Sequence, residues 1–303
     1  MTAVGTDQST GTATNGVRYL LVLSRPRFWL YLAGPVVVGV VAAAETAAEL
    51  FAPVGVGLFG YFLLPANVLL YGVNDIFDAE IDTENAKKTD REARWQGGPA
   101  VVASVVVSGL LAAVVFALTP TAAWPWLAGF LLLAVQYSAP PARFKTTPLV
   151  DSLSNGLYIL PGVAGYAAVA GHQPPTLAVA GAWLWTMGMH TFSAIPDIEP
   201  DRQGGIQTTA TWLGKRRTYG YVAACWLAAA GAFGAVDPRM GALMAVYPAF
   251  VAWVAGSAIA VDRAYWGFPA LNTPVGTLFT LGLLWRNVPP MEGLPLFLIY
   301  ISE

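Results

Sequence analysis

The sequence predicts an all-α, polytopic membrane protein, with about nine transmembrane helices in one bundle. Three observations carry that expectation. Hydrophobic residues make up 56% of the 303-residue chain and charged residues 11%, and the mean hydropathy is +0.56. Soluble domains carry roughly 25% charged residues, so a water-borne fold of this size could not hide so much apolar surface. The apolar residues also come in runs near the length that crosses a bilayer, about 20 residues. Finally, runs such as Pro99 to Leu118 are apolar on every face. A membrane barrel needs short segments of alternating polarity, whereas helices satisfy their own backbone groups in hydrocarbon.

Residues 1–16 are polar and rich in Thr, Gly and Ala. They lack the basic start and apolar stretch of a signal peptide and are expected to form a disordered tail. Residues 17–288 are read as the membrane domain. Its nine spans are centred near Pro35, Leu63, Ser108, Leu131, Pro161, Trp185, Ala228, Val251 and Leu278, with charged or Pro/Gly-rich breaks between them. Residues 289–303 form a C-terminal tail. Its apolar stretch, Leu294 to Ile301, is too short to span and suits the interface.

The basic residues give the orientation. Arg18, Arg25 and Arg27 precede the first span, and Lys87, Lys88, Arg91 and Arg94 follow the second. Arg143 and Lys145 follow the fourth, Arg202 and Lys215 to Arg217 the sixth, and Arg263 the eighth. All of these loops fall on one side, leaving Arg239 and Arg286 on the other. Because positive residues favour the cytoplasm, the N-terminus and the charged loops are expected to be cytoplasmic, in a multi-pass protein of the cell membrane. Cys225 is the single cysteine, so no internal disulfide can form, and it reads as a packing residue. His172 and His190 are too far apart to suggest a metal-ligand pair, and a structural role is the better reading for each. His190, however, lies close to the second acidic segment described below.

Charge clusters at two span ends. The second span runs into Tyr71-Gly-Val-Asn74-Asp75-Ile-Phe-Asp78-Ala-Glu80-Ile-Asp82. At 100° per residue, Asn74, Asp78 and Asp82 share a face, Asp75 lies beside them and Glu80 points away. Like charges at this spacing repel and call for a cation. Carboxylate and amide oxygens with room for phosphate and water suit Mg2+. A merely hydrated loop accounts for Glu84 to Glu92, but not for three acids on one face at a span mouth.

The sixth span ends in Ile195-Pro196-Asp197-Ile-Glu199-Pro200-Asp201-Arg202. Asp197 and Asp201 are again four apart, and Glu199 again points away. Pro200 fits a first helical turn if a new helix starts near Asp197; otherwise the segment is a turn. One such pair is a weak signal, but two at the same membrane side make a strong one. Asn74, Asp75, Asp78, Asp82, Asp197 and Asp201 are the candidate metal ligands, and Asp78 and Asp197 are also candidate catalytic groups. Two metal-bearing clusters suit an allylic diphosphate, whose leaving group needs charge neutralisation and whose cation needs a dry pocket.

Between the clusters lies Tyr137-Ser-Ala-Pro-Pro-Ala-Arg143-Phe-Lys145. Lys145 is the favoured diphosphate contact, since charge-assisted hydrogen bonds are the strong ones. Arg143, Arg94 and Arg25 are further diphosphate candidates, although topology or interfacial anchoring explains each about as well. Tyr137 is an ordinary interfacial tyrosine or, as a catalytic candidate, a ring facing the allylic cation.

Asn74-Asp75-x-x-Asp78-x-x-x-Asp82, Asp197-x-x-x-Asp201 and the Tyr137 to Lys145 segment resemble the signatures of the UbiA-type intramembrane prenyltransferases, over roughly Arg18 to Trp285. The resemblance implies nine spans, Mg2+, an allylic isoprenyl diphosphate donor and a lipophilic acceptor drawn from among the membrane lipid. It also implies metal ligation by Asn74, Asp78, Asp82, Asp197 and Asp201, and diphosphate contact by Lys145. Within the family, Ser24 to Trp29, Lys87 to Arg94 and Ile195 to Arg202 resemble the carotenoid branch. That implies dimethylallyl diphosphate as donor and lycopene as acceptor on the route to C50 carotenoids, with water able to quench the final cation.

Other acceptors within the family stay open: a quinone precursor, haem or chlorophyll, or an archaeal glycerol ether lipid. A transporter would place ionisable residues near the midplane, whereas here the acids gather at helix ends. A lipid-binding scaffold leaves the paired acids unexplained. No nucleic-acid partner is expected.

Overall fold

The computed structural model describes residues 19–82 and 99–288, the side chains of 78–82 excepted. The expected tails and the loop carrying Arg94 therefore lie outside the described residues. A short helical turn over 19–23 precedes α1, Trp29–Ala43. There follow α2 (Pro53–Leu63), α3 (Pro65–Asp82), α4 (Pro99–Leu118), α5 (Trp124–Gln136), α6 (Val150–Ser154) and α7 (Leu160–Ala170). The second half comprises α8 (Thr176–Ser193), α9 (Ile198–Gln203), α10 (Thr209–Val236), α11 (Pro238–Met244), α12 (Val246–Gly256) and α13 (Val261–Asn287). No strand occurs among the described residues.

Each of the nine expected span centres falls inside a helix. By length and composition, five helical stretches can cross a membrane, or six if the bent pair α6–α7 counts as one. The expected count of nine therefore goes beyond what those two criteria establish. Residues 121–136 are apolar but shorter than a full span.

The breaks have local causes. Pro65 cannot donate a backbone hydrogen bond, and Leu64 leaves the helical region (φ −124°, ψ −62°) between α2 and α3. The buried Asn67 amide repairs the ladder there, donating from Nδ2 to the carbonyls of Phe62 (2.9 Å) and Leu63 (3.0 Å). In α10, Gly214 takes φ 71°, ψ 159°, a conformation that glycine adopts at little cost. The Thr208 hydroxyl caps the start of that helix by accepting from the Thr211 backbone N–H.

Packing divides the core into two lobes. One is built from α1–α5 and α7, around Leu32, Phe62, Phe130 and Leu160; the other from α8, α10, α12 and α13, around Phe192, Trp226, Tyr247 and Phe268. Tyr158 and Ala182 pack against both lobes. Close approach needs small residues, as is common between membrane helices. A Cβ added at Gly39 of α1 would stand 1.9 Å from the Gly162 carbonyl oxygen of α7.

At one end of the bundle, Asn287 of α13 donates to the carbonyl of Ala42 at the end of α1 (2.8 Å), and Arg286 pairs with Asp237 at 3.3 Å. The first contact links α13 to α1, and the second links it to the junction of α10 and α11. Arg25, Asp75, Arg143, Asp197 and Asp201 belong to the opposite end, where α1 begins and α3 and α8 finish.

Candidate active site at the mouth of the bundle

A cavity of ≈ 260 Å³ lies between the two lobes. Leu70, Tyr71 and Asn74 line it from α3, Tyr137 from the end of α5, and Asn155, Leu157 and Tyr158 from the break between α6 and α7. The second lobe contributes Met189, His190, Ser193, Tyr265 and Phe268. Arg25, Phe28 and Tyr31 close it from the segment entering α1. The residues therefore come from far-apart stretches of chain, joined only by the fold.

The mouth is charged. Arg25 takes a left-handed backbone conformation (φ 49°) before the turn Pro26–Phe28. Its Nη2 reaches the Asp75 Oδ1 at 3.2 Å, and its guanidinium lies 4.6 Å from the centre of the Tyr71 ring. Asp75 is only 2% exposed, so its charge needs such a partner. Two residues expected in different roles, a diphosphate contact and a metal ligand, thus meet in one ion pair.

Asn74 donates from Nδ2 to the hydroxyl of Ser138, at 3.0 Å. That contact turns its oxygen, the atom able to bind a cation, away from Ser138. α3 continues unbroken to Asp82, so positions 78 and 82 extend the helical register of 70 and 74. The side chains of Asp78 and Asp82 lie outside the described residues, as does Arg94.

The second acidic segment is helical, as its favourable reading required. Ile195–Asp197 forms a 3₁₀ turn and α9 begins at Ile198, placing Pro200 in the first turn. Asp197 and Asp201 are half-buried, whereas Glu199 is exposed and pairs with Arg202 at 3.0 Å. Arg202 also donates to the Thr211 carbonyl at 3.0 Å, bracing α9 against α10. Among the described residues, no three acidic, His or Cys side chains stand close enough to hold an ion together.

The segment between the acidic motifs folds back on itself. The Lys145 backbone N–H donates to the Tyr137 carbonyl at 3.1 Å, and the turn contains a cis Pro140–Pro141 bond. Arg143, with φ 43°, donates from Nη2 to the Phe77 carbonyl at 3.0 Å. It thereby ties this turn to α3 beside Asp78. Tyr137 lines the cavity and meets His190 edge-on, with ring centres 6.1 Å apart.

Below the mouth the wall turns aromatic. Phe28 lies 6.0 Å from Tyr71 and 5.6 Å from Tyr31, and Tyr31 lies 6.4 Å from Tyr158, ring centre to ring centre. A charged rim leading to a chamber of ring faces can hold an anionic head outside and a carbocation within.

The sequence pattern of the UbiA prenyltransferase family matches residues 32–274. The chain belongs to the UbiA prenyltransferase family. As a prenyltransferase of that family, it has similar relatives in haloarchaea. It is 67% identical over 270 residues to the lycopene elongase/hydratase of Haloferax volcanii, covering 89% of this chain and 90% of that one. It is 60% identical over 271 residues to the protein of the same name from Halobacterium salinarum, covering 89% and 98%. Among solved structures, it shares its fold with a UbiA homolog from Archaeoglobus fulgidus bound to GPP and Mg2+. The TM-score is 0.66 at 17% identity, over 88% of this chain and 99% of that chain. The helical architecture and the family together make this a multi-pass membrane prenyltransferase.

Sequence reasoning did not single out Asp151, Ser138 or the aromatic wall. Asp151 carried a usable signal, being a lone acid between apolar segments. Tyr137 apart, the aromatic residues carried none, because Tyr and Phe are common throughout this chain. Asn155 and His190 both reach the cavity, whereas Asn67 repairs a helix break.

Proposed function

We propose that this prenyltransferase moves a dimethylallyl group from its diphosphate to lycopene, lengthening the carotenoid toward a C50 product. The observation that carries the choice of substrates is the 67% identity, across 89% of the chain, to the Haloferax volcanii lycopene elongase/hydratase. The chamber supports the reaction type through its charged mouth and aromatic wall.

Carboxylate and amide oxygens at the mouth form a hard donor set, which fits Mg2+. Asn74, Asp78, Asp82, Asp197 and Asp201 are the residues proposed to hold it. When bound, the metal supplies charge neutralisation to the diphosphate. Lys145 and Arg25 contact the diphosphate, Arg25 being held at the mouth by Asp75. Arg143 braces the turn against α3 and adds positive charge there, and Arg94 remains a candidate from the adjoining loop.

The carbon–oxygen bond of the donor breaks heterolytically, and its electron pair leaves with the diphosphate. Tyr71, Tyr31, Tyr158 and Tyr137 turn their rings toward the five-carbon allylic cation. The terminal double bond of the acceptor, entering from the bilayer among the membrane lipid, donates its π pair to form the new carbon–carbon bond. The charged end of the bundle is assigned to the cytoplasmic side on its excess of Arg and Lys.

The testing experiment incubates membranes containing the protein with Mg2+, lycopene and labelled C5, C15 or C20 diphosphate. Label from the C5 donor in a lengthened carotenoid is the expected result. Label from a longer donor in a quinone precursor or ether lipid would instead assign a different substrate pair within the family.

A further inference from the structure

Beyond the acidic motifs, one carboxylate is buried behind residues that line the reaction chamber. Asp151 lies in the first turn of α6 and is 1% exposed. A buried carboxylate in a membrane bundle is costly unless its oxygens are satisfied. Here Thr209, at the start of α10, donates its backbone N–H to Oδ2 at 3.0 Å and its hydroxyl to Oδ1. The Leu149 backbone N–H donates to that same hydroxyl at 2.7 Å, so the clamp is itself clamped. His190 Nε2 stands 3.9 Å from Asp151 Oδ2.

That histidine does not finish in the protein interior. It lines the cavity, and its side chain is 19% exposed. Asn155 also lines the cavity and is anchored through its Nδ2 to the Asp151 carbonyl at 2.6 Å. A histidine serving only as a tether between α6 and α8 has no need to face the chamber.

We propose that Asp151 and His190 form the proton-accepting pair that lets water end the reaction, His190 as the base and Asp151 as its positioning residue. This rests on the lycopene reading above. Once the new carbon–carbon bond has formed, positive charge sits on a tertiary carbon of the acceptor. A water oxygen donates a lone pair to that carbon, making a carbon–oxygen bond. One O–H bond of the resulting oxonium breaks, its electron pair stays on oxygen as the hydroxyl, and the proton passes to the imidazole. The carboxylate steadies the imidazolium, which returns the proton to the departing diphosphate or to water at the mouth. Donor, acceptor and water thus become tertiary alcohol, diphosphate and a proton. Nε2 faces Asp151, so Nδ1 is the nitrogen assigned to the chamber. The 3.9 Å separation suits electrostatic support, and catalytic hydrogen bonds often tighten only with substrate bound.

The test compares wild type, His190→Gln and Thr209→Val in membranes supplied with Mg2+, lycopene and labelled dimethylallyl diphosphate. The ratio of hydroxylated to alkene-ended lengthened pigment is read by mass. Without the base, the cation discharges by losing a carbon-bound proton to the diphosphate, giving the alkene. His190→Gln is expected to lower the hydroxylated share at least about tenfold, as loss of a general base does. Thr209→Val, which removes one donor to Asp151, should shift the ratio the same way by less, and it carries the test if His190→Gln fails to fold. An unchanged ratio in a folded variant overturns the pair's role, because a purely structural contact would not move it. Lengthened wild-type pigment with no hydroxyl also overturns it while sparing the prenyl-transfer reading. No lengthened wild-type pigment at all removes the substrate reading, and the pair's role with it.

Discussion

Arg25 and Asp75, fifty residues apart in sequence, meet at 3.2 Å across the mouth of the bundle. The guanidinium also rests 4.6 Å from the Tyr71 ring centre. It is therefore fixed on two sides before any diphosphate arrives, and preorganised charge is what stabilises a leaving group most effectively.

Replacing Arg25 by Ala should lower kcat/KM for the donor by about 10- to 100-fold, the worth of one charge-assisted hydrogen bond of about 1.5–3 kcal/mol. Arg25→Lys should recover only part, since an ammonium lacks the planar fork. Asp75→Asn should move in the same direction, by loosening the guanidinium. Steady-state rates over a donor titration check all three. Unchanged kinetics in Arg25→Ala would remove this residue from the donor site.

Asp78→Asn and Asp201→Asn should each reduce turnover by about 100-fold or more while the protein stays folded in membranes. A chelator should abolish wild-type activity, with Mg2+ restoring it and Ca2+ doing so poorly, since Ca2+ prefers looser, larger coordination. The readouts are product formed at fixed metal concentration and melting temperature in detergent. Normal activity with excess chelator contradicts the proposed metal set.

The aromatic wall predicts a contrast between two substitutions at one position. Tyr71→Phe keeps the ring and should retain most activity. Tyr71→Leu loses it and should cost about 5- to 30-fold, matching a desolvated cation–ring contact of about 1–2 kcal/mol. Equal activity in the two variants would mean that this ring does not face the cation.

The contact between α1 and α7 predicts a change in stability. A side chain at Gly39 would collide with the Gly162 backbone at 1.9 Å, and forced overpacking costs about 1–3 kcal/mol. Gly39→Val should therefore lower the melting temperature in detergent, whereas Gly57→Ala, where an added Cβ meets nothing within 4 Å, should not. Equal melting of the two variants would contradict the close approach.

Much of this was legible in the sequence because it depends on local periodicity. The all-helical class followed from composition, and the outward direction of Glu199 from its spacing between Asp197 and Asp201. What depends on distant parts of the chain was not legible. No local pattern pairs Arg25 with Asp75, or brings Thr209 to Asp151 across 58 residues. Nor does any local pattern show that the Arg143 guanidinium reaches the Phe77 carbonyl, 66 residues away in sequence. Span count was equally hard to read, because a 40° bend breaks the stretch over 150–170 and the apolar stretch over 121–136 falls short of a full span, neither of which hydropathy alone reveals.

The central claim, transfer of five-carbon units to lycopene, is tested most directly by the mass of the pigments extracted from a lycopene-producing host that expresses this chain. The account predicts carotenoids lengthened by one and two five-carbon units, some carrying a new hydroxyl, that disappear with Asp78→Asn. Unchanged lycopene in cells where the protein is folded and abundant in the membrane would contradict it.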